Sequence, residues 1–272
     1  AADAGPLAIE QCDNSTFTVT AVDPAVGTGE WSINSGPGAF SNKYYFTTTV
    51  TGVTAGSSRV LRWTVSSGTC TANTDDITLT NRTLPTPTLS SDETDNIICA
   101  GDTVEFEAGG GVSYEFFVNG ISRQADGADD TYSTNTLLNG QVVTVRVTDA
   151  QGCSALSAGI TTTVNPVPVA SLLSNDADNT ICAGTSVTFT ATPSGAATYD
   201  FLINGISAQS SGSNTFATSA LNNGDIVTVT VTSDPDCSST SSGITMTVNP
   251  AVVASLSSSD ADNTICKNES VT

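Results

Sequence analysis

The chain contains no histidine, one methionine, two tryptophans and only seven basic residues, set against 27 acidic ones. Without histidine there is no imidazole base to activate a serine or cysteine, and zinc loses its usual nitrogen ligand. None of the seven cysteines stands in a CxxC pair, which also removes the usual thiolate zinc ligands. A formal charge of −20 repels nucleic acid and anionic membrane surfaces. No apolar run reaches the ~18 residues that a membrane-spanning helix requires. The good helix formers lysine, glutamate, arginine and methionine are scarce, so long helices are excluded.

Threonine, serine, valine, asparagine and glycine dominate instead, a composition of pleated strands and tight turns. Cysteines in so polar a chain predict disulfides, an oxidising compartment and an extracellular, cell-surface location. The first residues carry neither a basic nor an apolar leader segment, as expected of a mature, processed chain.

An internal repeat organises the sequence. Residues 91–104 read SDETDNIICAGDTV, residues 174–187 read SNDADNTICAGTSV and residues 258–272 read SSDADNTICKNESVT, which sets Cys99, Cys182 and Cys266 83 and 84 residues apart. YEFFVNGIS at 114–122 matches YDFLINGIS at 199–207, and the units end alike on TTTVNP and TMTVNP. The implied domains are a divergent one at 1–84, repeats at 85–166 and 167–250, and the start of a third repeat at 251–272.

Within a unit, apolar residues alternate with threonines, as in Val187, Phe189 and Ala191, Tyr199, Phe201 and Ile203, or Val227, Val229 and Val231. This is the pattern of half-buried strands. Asn119-Gly120, Asn204-Gly205, Asn139-Gly140 and Asn223-Gly224 supply residues for hairpin turns. The predicted fold is all-β, with tandem immunoglobulin-like sandwiches of about seven strands arranged end to end. Trp31 and Trp63 are expected in the core of the first.

Two regular sets of disulfides fit the spacing. Pairs within units join Cys12 to Cys70, Cys99 to Cys153 and Cys182 to Cys237; pairs between units join Cys70 to Cys99, Cys153 to Cys182 and Cys237 to Cys266. The first set is preferred, because closing a ~55-residue loop stabilises a small sandwich by about 4 kcal/mol in the chain-entropy model. Its difficulty is that the paired cysteines fall at opposite poles of a simple immunoglobulin strand order.

VTDAQGCSA at 147–155 and the ICAGxxVxFxA starts resemble repeats of giant Bacteroidota surface adhesins, nearest to the gliding-motility adhesins. GTGEWSINSGPGAFSN and LRWTVSSGTCTANTDDITLT of the first unit are similar to another module of the same proteins. The resemblance implies immunoglobulin-like or PKD-like modules exported by the type IX secretion route. In the second repeat the ending is VTSDPDCSS, so a shared role for Asp149 does not carry over.

An acidic cluster precedes each repeated cysteine: Glu93, Asp95 and Asn96; Asp176, Asp178 and Asn179; Asp260, Asp262 and Asn263. Carboxylates on alternate residues beside an amide are oxygen ligands of the kind calcium takes, and calcium there would stiffen a domain junction. Asp and Asn are equally good turn residues, and the pattern lacks the full calcium-loop motif. Asn14, Asn81 and Asn268 begin N-glycosylation triplets, and Asp102-Thr103-Val104 resembles a short O-glycosylation signal. The adjacent acids Asp75-Asp76 and Asp129-Asp130 are the only carboxylate pairs to weigh for catalysis, and nothing in their spacing suggests a shared proton.

The expected function is therefore a structural stalk of a secreted surface adhesin, and no enzyme. Its partners would be neighbouring repeats of the same chain and, through a distant tip, glycans or solid substrata. The alternative is a carbohydrate-binding sandwich, or the spacer of a secreted polysaccharide-acting protein. The stalk is preferred because a sugar site usually exposes an aromatic platform, whereas the aromatic residues here mostly fall on inward positions, including Phe106, Phe116, Phe189 and Phe201.

Overall fold

A computed structural model describes every residue except Pro235 and Asn263. Its regular structure among the described residues is entirely β-strand. The chain divides into two compact units, Ala1–Val164 and Asn165–Thr272.

The first unit holds two sandwiches. In the first are β1 (Ala8–Cys12), β2 (Phe17–Thr20), β3 (Thr28–Ile33), β4 (Ala39–Phe40), β5 (Thr47–Thr51), β6 (Ser57–Ser66) and β7 (Asn73–Arg82). They form sheets in the orders β1-β7-β6-β3 and β2-β5-β4. Alternation decides which residues enter the core: Phe17 and Val19 are buried while Thr18 and Thr20 face solvent. Trp31 and Trp63, as expected, fill that core; they stand opposite each other on β3 and β6, with ring centroids 5.1 Å apart. Gly29 must lack a side chain, because a Cβ there would lie 1.9 Å from the Trp63 ring.

The second sandwich contains β8 (Thr88–Ser91), β9 (Ile97–Cys99), β10 (Val104–Gly109), β11 (Ser113–Val118), β12 (Ile121–Gly127), β13 (Thr131–Thr134), β14 (Val142–Thr148), β15 (Ser154–Leu156), β16 (Ile160–Thr161) and β17 (Thr163–Asn165). One sheet has the order β13-β10-β8 and the other β12-β11-β14-β15, with β16 also on β14 and β9 on β17. Phe106, Phe116, Val143, Val145 and Val147 meet between the sheets.

The unit from Asn165 onward repeats this plan with β18 (Ser171–Ser174), β19 (Thr180–Cys182), β20 (Val187–Thr192), β21 (Thr198–Ile203), β22 (Ile206–Ser211), β23 (Thr215–Thr218), β24 (Ile226–Thr232), β25 (Ser238–Thr240), β26 (Ile244–Thr245) and β27 (Thr247–Asn249). Its sheets are β18-β20-β23 and β22-β21-β24-β25, with β26 on β24 and β19 parallel to β27. Phe189, Phe201, Met246 and the valines of β24 form its core. A three-stranded sheet facing a four-stranded one, with consecutive strands crossing between them, is an immunoglobulin-like sandwich. The fold is thus all-β, built from three such sandwiches in tandem along the chain. Beyond Pro250 the described residues form no strand.

The four Asn-Gly pairs do not behave alike. Asn119-Gly120 and Asn204-Gly205 have positive φ at both residues and close the β11–β12 and β21–β22 hairpins, as expected of type I′ turns. At Asn139-Gly140 and Asn223-Gly224 only the glycine has positive φ, which corrects the hairpin assignment. There the chain passes between sheets, and a four-residue turn with glycine in third place suffices. The freed amide oxygens of Asn139 and Asn223 accept from Val164 N and Val248 N at 3.1 and 3.0 Å.

Candidate functional site

The recurrent acidic clusters are built as turns. Asp95 Oδ1 accepts from Ile97 N at 3.0 Å, and Asp176 and Asp178 both accept from Thr180 N at 3.0 Å. Asp260 and Asp262 do the same for Thr264 N, at 3.3 and 2.9 Å. Asn96 and Asn179 each adopt φ 57°, a conformation that asparagine tolerates. Their carbonyls accept from Thr163 N and Thr247 N at 2.8 Å, which starts β9 and β19 alongside the last strands of their sandwiches. Glu93 contributes its backbone N–H to Ser91 Oγ, and Asn263 lies outside the described residues. Among the described residues no three histidine, cysteine, aspartate or glutamate side chains gather in a geometry able to hold a metal ion.

The cysteines depart from both expected sets. Cys12 is bonded to Cys153, 141 residues away and in the following sandwich. Cys99 and Cys237 are also disulfide-bonded, whereas Cys70, Cys182 and Cys266 are exposed thiols. The pairs Cys12–Cys70, Cys99–Cys153 and Cys182–Cys237 are therefore excluded, as are Cys70–Cys99, Cys153–Cys182 and Cys237–Cys266. Geometry explains the first failure. Cys12 lies beside Arg82 at the end of β7, while Cys70 precedes its start. Ten residues of strand span about 30 Å, and disulfide Cα atoms must approach within about 7 Å.

Asp149 serves the turn that carries Cys153: its Oδ1 accepts from Gln151 N and Cys153 N, each at 2.9 Å. In the third sandwich Ser233 stands at the corresponding turn and donates its hydroxyl to Cys237 O at 3.0 Å, so the loss of the aspartate is a change of turn chemistry.

Most of the remaining sequence candidates also have local partners. Asn81, 1% exposed, donates to Val53 O at 2.7 Å and accepts from Asn14 N at 3.0 Å, so its amide is held inside the first sandwich, away from any glycosylating enzyme. Asp102 accepts from Cys99 N at 3.1 Å in the turn after β9. Asp129 accepts from Thr131, and Asp75 from Ala4 N. Asp76 is clamped by Arg62 at 2.7 and 2.8 Å, and the guanidinium holds its carboxyl below the usual range. Glu115 is lowered by hydrogen bonding to Ser122 and Arg146, and Asp225 by Asn222 and Asn204. Depressed carboxylates of this kind stay ionised at neutral pH, so they have no proton to give as general acids and are weakened as bases.

One group of residues went unnoticed in the sequence. Tyr44, Tyr45 and Phe46 are consecutive and exposed, at 64, 62 and 37%, while every other aromatic residue is buried or half-buried. They occupy the β4–β5 loop, which is fastened from several sides. Trp31 N donates to Lys43 O at 2.7 Å, Ala21 N to Phe46 O at 2.9 Å, and Tyr44 N to Asn42 Oδ1 at 3.0 Å. Lys43 pairs with Glu30 at 2.5 Å, lies 4.9 Å over the Tyr44 ring, and is raised in pKa chiefly by the Glu30 bond. The Tyr45 and Phe46 rings are within 20° of parallel, and with Asp23 and Tyr44 they line a shallow cleft. The available signal was their adjacency: three aromatics in succession cannot all point into a sandwich whose side chains alternate.

No protein-family model and no curated protein matches this sequence. Solved structures do match. Fibronectin(III)-like modules of Clostridium thermocellum CbhA are 14% identical, with 60% of this chain and 95% of that one covered at a TM-score of 0.38. A Ca2+-stabilized adhesin that helps an Antarctic bacterium bind ice is 18% identical over 93% and 76%, at 0.37. The three-domain ectodomain of mouse nectin-like molecule 4 is 10% identical over 92% and 100%, at 0.38. At such identities and scores these likenesses decide nothing about ligand or activity. Among the described residues no helix is long and apolar enough to cross a membrane.

Proposed function

We propose that this chain is a load-bearing stalk segment of a large secreted cell-surface adhesin, in the manner of the gliding-motility adhesins whose repeats it resembles. The observation that carries this reading is the Cys12–Cys153 bond, which ties one sandwich covalently to the next. Such a tie holds successive modules together under load, as a tether requires. Strands β2 to β14 all lie between the two sulfurs, so tension applied at the chain ends bypasses the first sandwich and most of the second. Many of the carboxylates, among them Asp76, Asp149, Asp178 and Asp225, are engaged in turns and ion pairs, as a framework requires.

Single-molecule extension of the oxidised chain tests the proposal. The Cys12→Ser/Cys153→Ser variant should show added unfolding extension of roughly 500 Å in total, the contour of the 141 residues between the two cysteines at about 3.3–3.6 Å per residue. Identical step patterns in the two proteins would reject a mechanical role for the bond.

A second reading is favoured by the aromatic loop. Tyr44, Tyr45 and Phe46, beside the Asp23 carboxylate, offer ring faces for the C–H face of a sugar and an acceptor for its hydroxyls. In that case the stalk itself touches glycan. Binding of the whole chain to a glycan array, lost in Tyr45→Ala and Phe46→Ala variants of unchanged melting temperature, is the expected result. An array with no binding would dismiss this reading and leave the stalk untouched.

A further inference from the structure

The second sandwich holds a cleft of about 280 Å3 where the edge strands of its two sheets, β12 and β13, meet the turn that precedes β14. Val118, Leu137 and Leu138 supply its apolar lining, and Arg123, Tyr132 and Gln141 carry its hydrogen-bonding groups. In a chain with 27 acidic residues, no carboxylate lines it among the described residues. Arg123 is exposed, and its guanidinium has no ion pair or hydrogen bond among the described residues, whereas Lys43, Arg62, Arg82 and Arg146 are each paired with an acid. The Tyr132 hydroxyl is likewise without a hydrogen-bond partner among them, although its ring stacks on Phe106 and Phe116.

The third sandwich provides an internal comparison. At the positions of Arg123, Tyr132, Leu138 and Gln141 it has Ala208, Phe216, Asn222 and Asp225. Its turn is closed by Asp225 Oδ2, which accepts from Asn222 N at 2.8 Å. In the second sandwich Gln141 Oε1 accepts from Leu138 N at 3.0 Å, which leaves the amide nitrogen of Gln141 free to donate. The same fold therefore forms without the guanidinium, the phenol, the amide nitrogen or the exposed Leu138, and their convergence on one cleft is no requirement of the framework.

We propose that this cleft binds a single hexuronate unit, the carboxylate-bearing ring of an acidic glycan. The guanidinium fork of Arg123 matches a carboxylate, which can accept two of its N–H groups. Gln141 and Tyr132 supply neutral partners for ring hydroxyls, and Leu138, 67% exposed, offers an apolar contact for the C–H face. The volume is at the small end of ligand sites, which begin near roughly 300 Å3, and suits one ring. The net charge of −20 opposes any anion at long range, but physiological salt screens that field within about 8 Å. The cleft is separate from the Tyr44–Phe46 loop and owes nothing to a sugar binding there.

NMR titration of the whole chain with methyl β-D-glucuronide is the test, with methyl β-D-glucoside as the same ring lacking the carboxylate. The glucuronide should shift the Arg123 Nε–H and Gln141 side-chain amide signals, and the glucoside should bind roughly tenfold more weakly for want of a charge-assisted pair. Arg123→Ala should weaken glucuronide binding by a similar factor and Leu138→Asn should also weaken it, while Lys267→Ala, which removes an exposed cation outside the cleft, should not. Both cleft substitutions introduce the residue that the third sandwich carries, so the fold should hold, as an unchanged melting temperature would show. No shift of these signals at millimolar glucuronide, equal affinity for the two sugars, equal affinity for acetate, or binding indifferent to Arg123→Ala would each overturn the proposal.

Discussion

Replacing Cys12 and Cys153 together by serine is expected to produce one of the two largest losses of stability in this chain. The bond closes a loop of 141 residues, and in the chain-entropy model a loop of that length restricts the unfolded ensemble by about 5 kcal/mol, an upper figure. The benefit is shared by two sandwiches whose cores are small for independent folding. In urea without reductant, the transitions of the first and second sandwiches should move to lower concentration, while that of the third, whose strands lie outside the loop, supplies an internal reference. Coincident unfolding curves for the two proteins would refute the effect.

The second large effect belongs to the tryptophan pair. Trp63 is buried against Trp31 and over Gly29, and truncating such a side chain leaves a cavity, so Trp63→Ala should cost about 3–5 kcal/mol. Trp63→Phe should recover much of the loss, because the indole Nε1 is buried without a hydrogen-bond partner and phenylalanine removes it. Both tryptophans of the chain lie in the first sandwich, so the fluorescence of Trp31 reports that sandwich alone. A Trp63→Ala protein whose Trp31 emission unfolds at the wild-type denaturant concentration would refute the packing argument.

Much of the fold could be read from local pattern. Alternation placed Val187, Phe189 and Ala191 on one face because strand geometry leaves no other choice, and the two hairpins with Asn119 and Asn204 followed from residues that accept positive φ. What could not be read was long-range. The bond from Cys12 to Cys153 depends on the parallel pairing of β1 with β7, which brings residues about 70 positions apart into register, and no spacing rule announces it. The acidic clusters carried a double meaning that composition does not resolve, since the oxygens that suit calcium equally suit the N–H groups of a tight turn. The aromatic loop was missed for a different reason: attention to inward positions in strands passes over a residue run that lies outside them.

The parallel pairing of β19 with β27 has a mechanical consequence for the third sandwich. The chain enters through β18, and once past that strand it follows β19 and leaves through β27, which run in the same direction on neighbouring tracks. A pull on the two ends therefore slides one strand along the other and loads their hydrogen bonds together, where an antiparallel hairpin would open one bond at a time, like a zip. Resistance to force is set by the rate of unfolding and not by equilibrium stability. Three residues of paired backbone, Thr180 to Cys182 against Thr247 to Asn249, would then act as the shear pin of the domain.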